Sequence, residues 1–218
     1  MKKMLMSVAI VLLFAGNVLA QLWSVEVIDQ NGMGMGTVVA VDDVAQDNGW
    51  RYAIVATASH VVENSKGIKI RYENGKSSSN CSVISRDHMA DLALVRCLVP
   101  PGVKPLKIGS VQAEEGDKIN YVGRYRRHFS GDVSCLVFEN EIWVDVVFVP
   151  GDSGGSVILN GELIGCISGG MMWSGTQPQR TYPGRSNNLK PLKKLVEDAL
   201  KSGSWKGASK QPVKPQQT

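Results

Sequence analysis

The 218-residue chain is expected to be all-β: two packed six-stranded antiparallel β-barrels followed by a C-terminal helix. Three observations lead there. Short runs rich in β-branched and aromatic residues recur through the first 170 residues, each bounded by Gly, Asn, Asp or Pro. The proline-rich stretch Val99-Pro-Pro-Gly-Val-Lys-Pro-Leu106 divides these runs into two sets. A helical apolar period appears only near the end, from Asn188 onward.

The elements follow in order. Lys2 and Lys3 precede the apolar run 4–15 and the small residues of Gly16-Asn-Val-Leu-Ala20. This is the pattern of a signal peptide over residues 1–20, cut after Ala20, and it implies a secreted or periplasmic protein with no stable membrane span after cleavage. The first barrel, 21–100, takes strands at 23–28, 36–41, 52–57, 68–72, 81–84 and 92–95. The second, 101–185, takes strands at 118–122, 133–138, 142–148, 156–159 and 163–168, with turns such as Asn160-Gly161. The helix occupies 186–202. Leu189, Leu192, Val196 and Leu200 lie on one face, Pro191 is tolerated in the first turn, and Gly203 stops it. The Lys-, Gln-, Ser- and Pro-rich remainder, 203–218, is expected to be disordered.

Charge and composition exclude several classes. From Arg185 onward there are eight basic and two acidic side chains; without Lys2 and Lys3, the body 21–184 is left at a net −4. It has no basic stripe interleaved with aromatics, so nucleic acid is not an expected partner. Asn31-Gly-Met-Gly-Met-Gly36 lacks the Gly-Lys-Ser/Thr of a phosphate loop and leads into a strand, so no nucleotide is expected. None of Cys81, Cys97, Cys135 and Cys166 forms a C-x-x-C pair, which disfavours a metal site. Four cysteines in an exported chain instead suggest disulfides. Cys81 and Cys97 are equidistant from Met89 at the centre of a hairpin and are expected to pair; Cys135 with Cys166 follows by elimination. No cofactor is implied, and nothing in the sequence specifies an oligomeric state.

The chemistry centres on Val149-Pro-Gly-Asp-Ser-Gly-Gly-Ser-Val157. Glycines around Ser153 permit a tight bend that presents a hydroxyl together with main-chain N–H groups. Gly151-Asp-Ser153-Gly-Gly155 formally matches the α/β-hydrolase elbow, whose acid and histidine follow the nucleophile. All three histidines, His60, His88 and His128, precede Ser153, which removes that order. A subtilisin order with Asp42 or Asp43 belongs to an α/β scaffold. The order His, Asp, Ser remains. His60 closes the strand ending Thr57-Ala-Ser-His60, and Asp91 stands at the mouth of Asp91-Leu-Ala-Leu-Val95. A hydroxyl, a base and an acid to orient the base are what acyl transfer requires. His88 and His128 lie in loops and are assigned no role.

The segments TASH, DLALV and GDSGG resemble the signatures of chymotrypsin-like (trypsin-fold) serine proteases. Gly34-Met-Gly36-Thr-Val-Val, Pro105-Leu-Lys-Ile-Gly-Ser110, residues 115–123, Gly161-Glu-Leu-Ile-Gly165 and Ser186-Asn-Asn-Leu-Lys190 are similar to the Deg/HtrA-type bacterial branch in particular. The resemblance implies a chymotrypsin-like double barrel acting as a serine endopeptidase on protein or peptide substrates. Its implied parts are His60 as general base, Asp91 as orienting acid, Ser153 as nucleophile, and an oxyanion hole formed by the N–H groups of Gly151 and Ser153. It further implies a substrate pocket bounded by Val147, Pro150, Ser168, Gly169 and Gly170.

Departures from the family matter. Deg/HtrA-type enzymes have Asn where Asp152 stands and PDZ domains after the protease; no PDZ domain is expected in the tail here. No zymogen-type N-terminus is available to meet Asp152, so Arg124, Arg126 or Arg127 is expected to pair with it. No carboxylate stands at the pocket-floor position, Val147, so an aliphatic residue is expected before the scissile bond. Arg180 near the pocket base would favour an acidic residue instead. A protease-fold binding protein without turnover is the alternative.

Overall fold

The computed structural model describes residues 23–30, 32–63, 66–124, 128–137, 141–144, 146, 148–170 and 184–206. The signal-peptide region, Arg126, Arg127, Val147, Arg180 and the tail beyond Lys206 lie outside the described residues.

The first unit is a curled seven-stranded antiparallel sheet. Its strands are β1 (Ser24–Ile28), β2 (Met33–Ala45), β3 (Arg51–Ala58), β4 (Lys69–Arg71), β5 (Ser77–Ser78), β6 (Ser82–Asp87) and β7 (Leu92–Val99), in the order β5-β4-β1-β2-β3-β7-β6. The second is a closed barrel of β8 (Lys118–Val122), β9 (His128–Val137), β10 (Glu141–Val144), β11 (Ser156–Leu159), β12 (Glu162–Gly170) and β13 (Gly184–Asn187), in the order β10-β13-β12-β11-β8-β9. The helix α1 spans Leu189–Ser202. The fold class is the expected one. Two strands had no sequence signal: β5 has two residues, and the Gly-Arg-Ser-Asn of β13 is polar.

Alternation places two cores on opposite faces of the first sheet. Ala53, Val55, Ala93, Val95 and Cys97 point into its own core. Ile54, Ala56, Leu92 and Leu94 point the other way, onto Leu163 and Cys166 of β12 and Leu192 and Val196 of α1. Burial on both faces explains why these strands read as nearly continuous apolar runs. The second barrel is filled by Ile119, Tyr121, Ile142, Val144, Val157, Ile164 and Ile167.

Asn188 caps α1, its side chain accepting from Lys190 N at 3.0 Å, and Gly203 ends it in the left-handed conformation. Leu200 is 43% exposed and Ala199 takes the expected place on the buried face. Residues 203–206, expected to open the tail, pack against the body. Trp205 is buried against the first sheet, and its carbonyl accepts from Arg96 Nε at 2.8 Å. One large apolar ring was enough to dock a polar segment.

The disulfides require correction. Cys81, Cys97 and Cys166 are free thiols. Ser82 pairs with Arg96, so Cys81 does stand across from Cys97. Yet Cys81 Sγ donates to Ser78 O at 3.2 Å, while Cys97 Sγ lies 3.5 Å from the Tyr72 hydroxyl. For Cys135 with Cys166 the obstacle is topology: two strands separate β9 from β12 either way around the barrel, and Cys166 faces outward onto the core shared with α1. A disulfide needs Cα atoms within about 7 Å. The Cys135 side chain itself lies outside the described residues.

Candidate active site

Strand register brings the histidine and the aspartate together. β3 and β7 pair antiparallel, with Ala58 opposite Leu92, so the residues just past Ala58 face the residue just before Leu92. The chain leaves β3 through a 3-10 turn, Ser59–Val62, that carries His60. Ser59 N donates to Asp91 O at 3.1 Å. Asp91 adopts a left-handed backbone (φ 51°), a conformation Asp tolerates better than most side chains. Its carboxylate accepts from His60 N through Oδ1 at 3.1 Å and from His60 Nδ1 through Oδ2 at 2.9 Å. Ser168 Oγ donates to Oδ2 at 2.5 Å.

These contacts set the charges. The hydrogen bond to Asp91 raises the His60 pKa above its ordinary 6.5, against the opposing effects of burial and of Arg185. For Asp91, burial is the largest single influence and acts upward; the hydrogen bonds from His60 and Ser168 outweigh it and leave the pKa below 3.8. The Nδ1 proton therefore belongs on the Asp91 side, which leaves Nε2 as the acceptor on the cleft side.

Ser153 comes from the second barrel, on the turn between Val149 and β11. Pro150 and Gly151 occupy the central positions of a turn closed by Asp152 N donating to Val149 O at 3.0 Å, and Gly151 has φ 96°. Pro followed by a positive-φ Gly is the signature of a type II turn. The N–H groups of Asp152, Gly154 and Gly155 donate to Val149, Ile167 and Asp152 carbonyls respectively. Those of Gly151 and Ser153 make no main-chain bond among the described residues.

The Ser153 turn is docked onto the first sheet. Met35 N donates to Ser153 O at 2.7 Å. Gly154, at φ 82°, leaves no room for a side chain: a Cβ there would lie 2.0 Å from Met35 O and 2.3 Å from Thr57 Oγ1. Nearby, Thr37 Oγ1 and Ser156 Oγ meet at 2.5 Å across the two units. Asp152 is fully buried, accepting from Arg124 N at 2.6 Å and Val149 N at 2.9 Å. Arg124, expected as an ionic partner, contributes its main-chain N–H.

A cleft of about 210 Å³ is lined by His60, Ser153, Phe148, Val149, Pro150, Ser168 and Gly169. It holds the expected Pro150, Ser168 and Gly169. Gly170, next to Gly169 and paired with Gly184 at the end of β12, is not among the lining residues. Phe148 and Val149, from the same segment as the expected Val147 and Pro150, line the cleft as well. The Phe148 ring packs edge-on against the buried Tyr121 at 5.4 Å between centroids, which fixes it against the barrel core. Ser168 also has a double placement that no motif announced. Ile167 pairs with Ser186 and Gly169 with Arg185, so Ser168 is the extra residue of a β-bulge, re-aimed toward Asp91.

None of the curated proteins matches this chain. Among solved structures, the serine endoprotease from Yersinia pestis is similar in fold, with a TM-score of 0.65 at 19% identity, covering 84% of this chain and 64% of that one. The chain thus spans less than two thirds of that protein's length. A family model described as the trypsin-like peptidase domain matches residues 34–165, from Gly34 near the start of β2 to Gly165 within β12. That stretch contains all three of His60, Asp91 and Ser153 and exceeds half of the chain, which belongs to the trypsin-like peptidase domain family.

Proposed function

We propose that the protein is an exported serine endopeptidase that cleaves protein or peptide substrates through His60, Asp91 and Ser153. The observation that carries this reading is His60, held through Nδ1 by Asp91, lining the same cleft as Ser153. Ser153 Oγ attacks the scissile carbonyl while His60 Nε2 takes its proton. Asp91 holds the tautomer and stabilises the imidazolium that forms. The N–H groups of Gly151 and Ser153, unspent on main-chain partners, receive the developing oxyanion; such donors are typically worth about 3 kcal/mol each. His60 then returns the proton to the leaving amine, and water repeats the sequence on the acyl-enzyme.

The cleft supports an aliphatic residue before the scissile bond. Phe148, Val149 and Pro150 are apolar, and among the described residues His60 is the only titratable group lining it. Each methylene contributes roughly 1 kcal/mol of discrimination in such a pocket. In a peptide library varied at that position, Val, Ile and Leu should dominate; cleavage after Glu or Asp that is lost in Arg180→Ala would replace this preference with the acidic one. Export rests on the Lys2-Lys3 and apolar 4–15 pattern and directs the mature protein to the periplasm or the medium.

A fluorophosphonate probe tests the central claim. The full-length exported protein should be labelled, and Ser153→Ala should not. Absence of labelling in the wild type, with the fold intact, would favour the protease-fold binding protein.

A further inference from the structure

The triad acid has neighbours beyond those that acyl transfer requires. Arg185 lies on β13 beside the Ser168 bulge, opposite Gly169 on one side and Trp143 on the other. Its Nη2 donates to Ser168 Oγ at 3.3 Å, and its Nη1 to Glu141 Oε1 at 3.1 Å. Ser168, 6% exposed, in turn donates to Asp91.

A guanidinium has donors only. Its contact with Ser168 must therefore use a lone pair of Oγ, which leaves the single hydroxyl proton for Asp91. Every hydrogen in the chain Arg185, Ser168, Asp91 then points one way, while Nδ1–H of His60 arrives at the same carboxylate from the other side. Glu141, on β10, fixes the far edge of the guanidinium, so a side chain that is 40% exposed is still held at two points.

We infer that Arg185, anchored by Glu141, is a positioning residue for the active site: it locks Ser168 as a donor to Asp91 and sets the charge against which His60 works. This rests on the endopeptidase reading above. The groups facing His60 are Asp91 from the β6–β7 hairpin, Glu63 from its own turn, His88 across a small cavity shared with Glu63 and Asp91, and Arg185 from β13. Cys166 adjoins Asp91 from β12, and burial pushes its thiol up to about 12, so it stays neutral. Arg185 is the one fixed cation among them. It opposes the imidazolium that Asp91 favours, and removing it must make His60 harder to deprotonate.

The test measures the pH dependence of Ser153-dependent fluorophosphonate labelling, which needs no knowledge of the substrate. Arg185→Met should slow labelling about tenfold near neutrality and move its acid limb to higher pH. Arg185→Lys, which keeps the charge but loses the two-point fork, should return the limb to its wild-type position while recovering only part of the rate. Should Arg185→Met not fold, Arg185→Gln removes the charge while keeping an amide that can reach Ser168, and the limb should again move up. A folded Arg185→Met or Arg185→Gln with its acid limb unmoved would overturn the inference, as would failure of Arg185→Lys to restore it. NMR titration of the His60 imidazole separates the two claims. A wild type that is not labelled refutes the enzyme, while an upward His60 shift in Arg185→Met would still uphold the coupling.

Discussion

The two halves of the site are built by different means. On the first sheet, His60 and Asp91 come from neighbouring strands, and the pairing of Ala58 with Leu92 brings them together before any side chain is considered. On the second barrel, Ser153 sits on a turn whose position depends on the absence of side chains and on inter-unit bonds, Met35 N to Ser153 O and, nearby, Thr37 Oγ1 with Ser156 Oγ. The difference separates chemistry from placement. Damage to the first half should change what the base can do; damage to the second should change where the nucleophile stands.

The largest effect should come from removing the reacting groups. Ser153→Ala or His60→Ala is expected to lower kcat by about 10⁴- to 10⁶-fold with the fold intact, and Asp91→Asn somewhat less. Asn suits this test because it tolerates the left-handed backbone at position 91. Peptide hydrolysis beside circular dichroism measures both quantities. Unchanged turnover in any of the three would dismantle the assignment.

Next comes a substitution that touches no reacting atom. Gly154→Ala forces a methyl group into Met35 O and Thr57 Oγ1 and strains a positive φ. The two units must separate locally, and Ser153 must move with them. A loss of about 10²-fold in kcat/KM is expected, together with destabilisation on the order of 3 kcal/mol. Urea melts and kinetics of the same preparation would show it. A variant of wild-type activity would mean that the turn is free to shift, and that the contrast between the halves is false.

The contrast also explains what could be read from the sequence. β8 and β11 were legible to the residue because burial selects their composition, and β2 and β7 were legible as strands although they run beyond the expected 36–41 and 92–95. β13 was not, since Gly184, Ser186 and Asn187 enter the sheet as buried small or polar residues whose partners are set by the fold. Chain order and flanking motifs singled out His60, Asp91 and Ser153, the residues to which the proposed function assigns the chemistry. Ser168 could be placed near the cleft, but not onto Asp91, because a bulge leaves no mark in composition. The main-chain donors to Asp152, Arg124 N and Val149 N, were illegible for a related reason: main-chain N–H groups are the same in every residue. The disulfides were misjudged because cysteines facing each other across a hairpin can equally remain thiols bonded to Ser78 and Tyr72.

Asp152 offers a milder way to perturb the nucleophile half. It satisfies the N–H groups of Arg124 and Val149 within a fully buried site. Asp152→Ala strands both donors, at about 1–3 kcal/mol each, and should reduce kcat about 10- to 100-fold by loosening the turn. Asp152→Asn keeps one acceptor and should retain more activity. Extending the mature N-terminus by a few residues should leave activity unchanged, since the carboxylate already has main-chain partners. Lost activity in the extended protein would show that a free N-terminus is needed after all.

The smallest effect concerns the first half and runs opposite to activity. The His60 pKa is raised above 6.5, so its pairing with Asp91 contributes stability that is complete below that value and disappears as pH rises through the folded-state pKa. The Asp91 pKa is depressed below 3.8, so its contribution is present above that value and is lost as pH falls through the depressed one. The ion pair therefore stabilises the fold most between these two ordinary values. Activity needs neutral imidazole and belongs on the alkaline side of the window. The His60 side chain is 47% exposed, and solvent screening keeps the contribution below about 1 kcal/mol. Thermal melts at about pH 5 and pH 8 should show the wild type losing slightly more stability on the alkaline side than Asp91→Asn does, while wild-type hydrolysis rises over the same interval. Identical pH dependence of stability in the two proteins would mean that the ion pair leaves no mark on folding, and that the register of β3 and β7 alone holds the base in place.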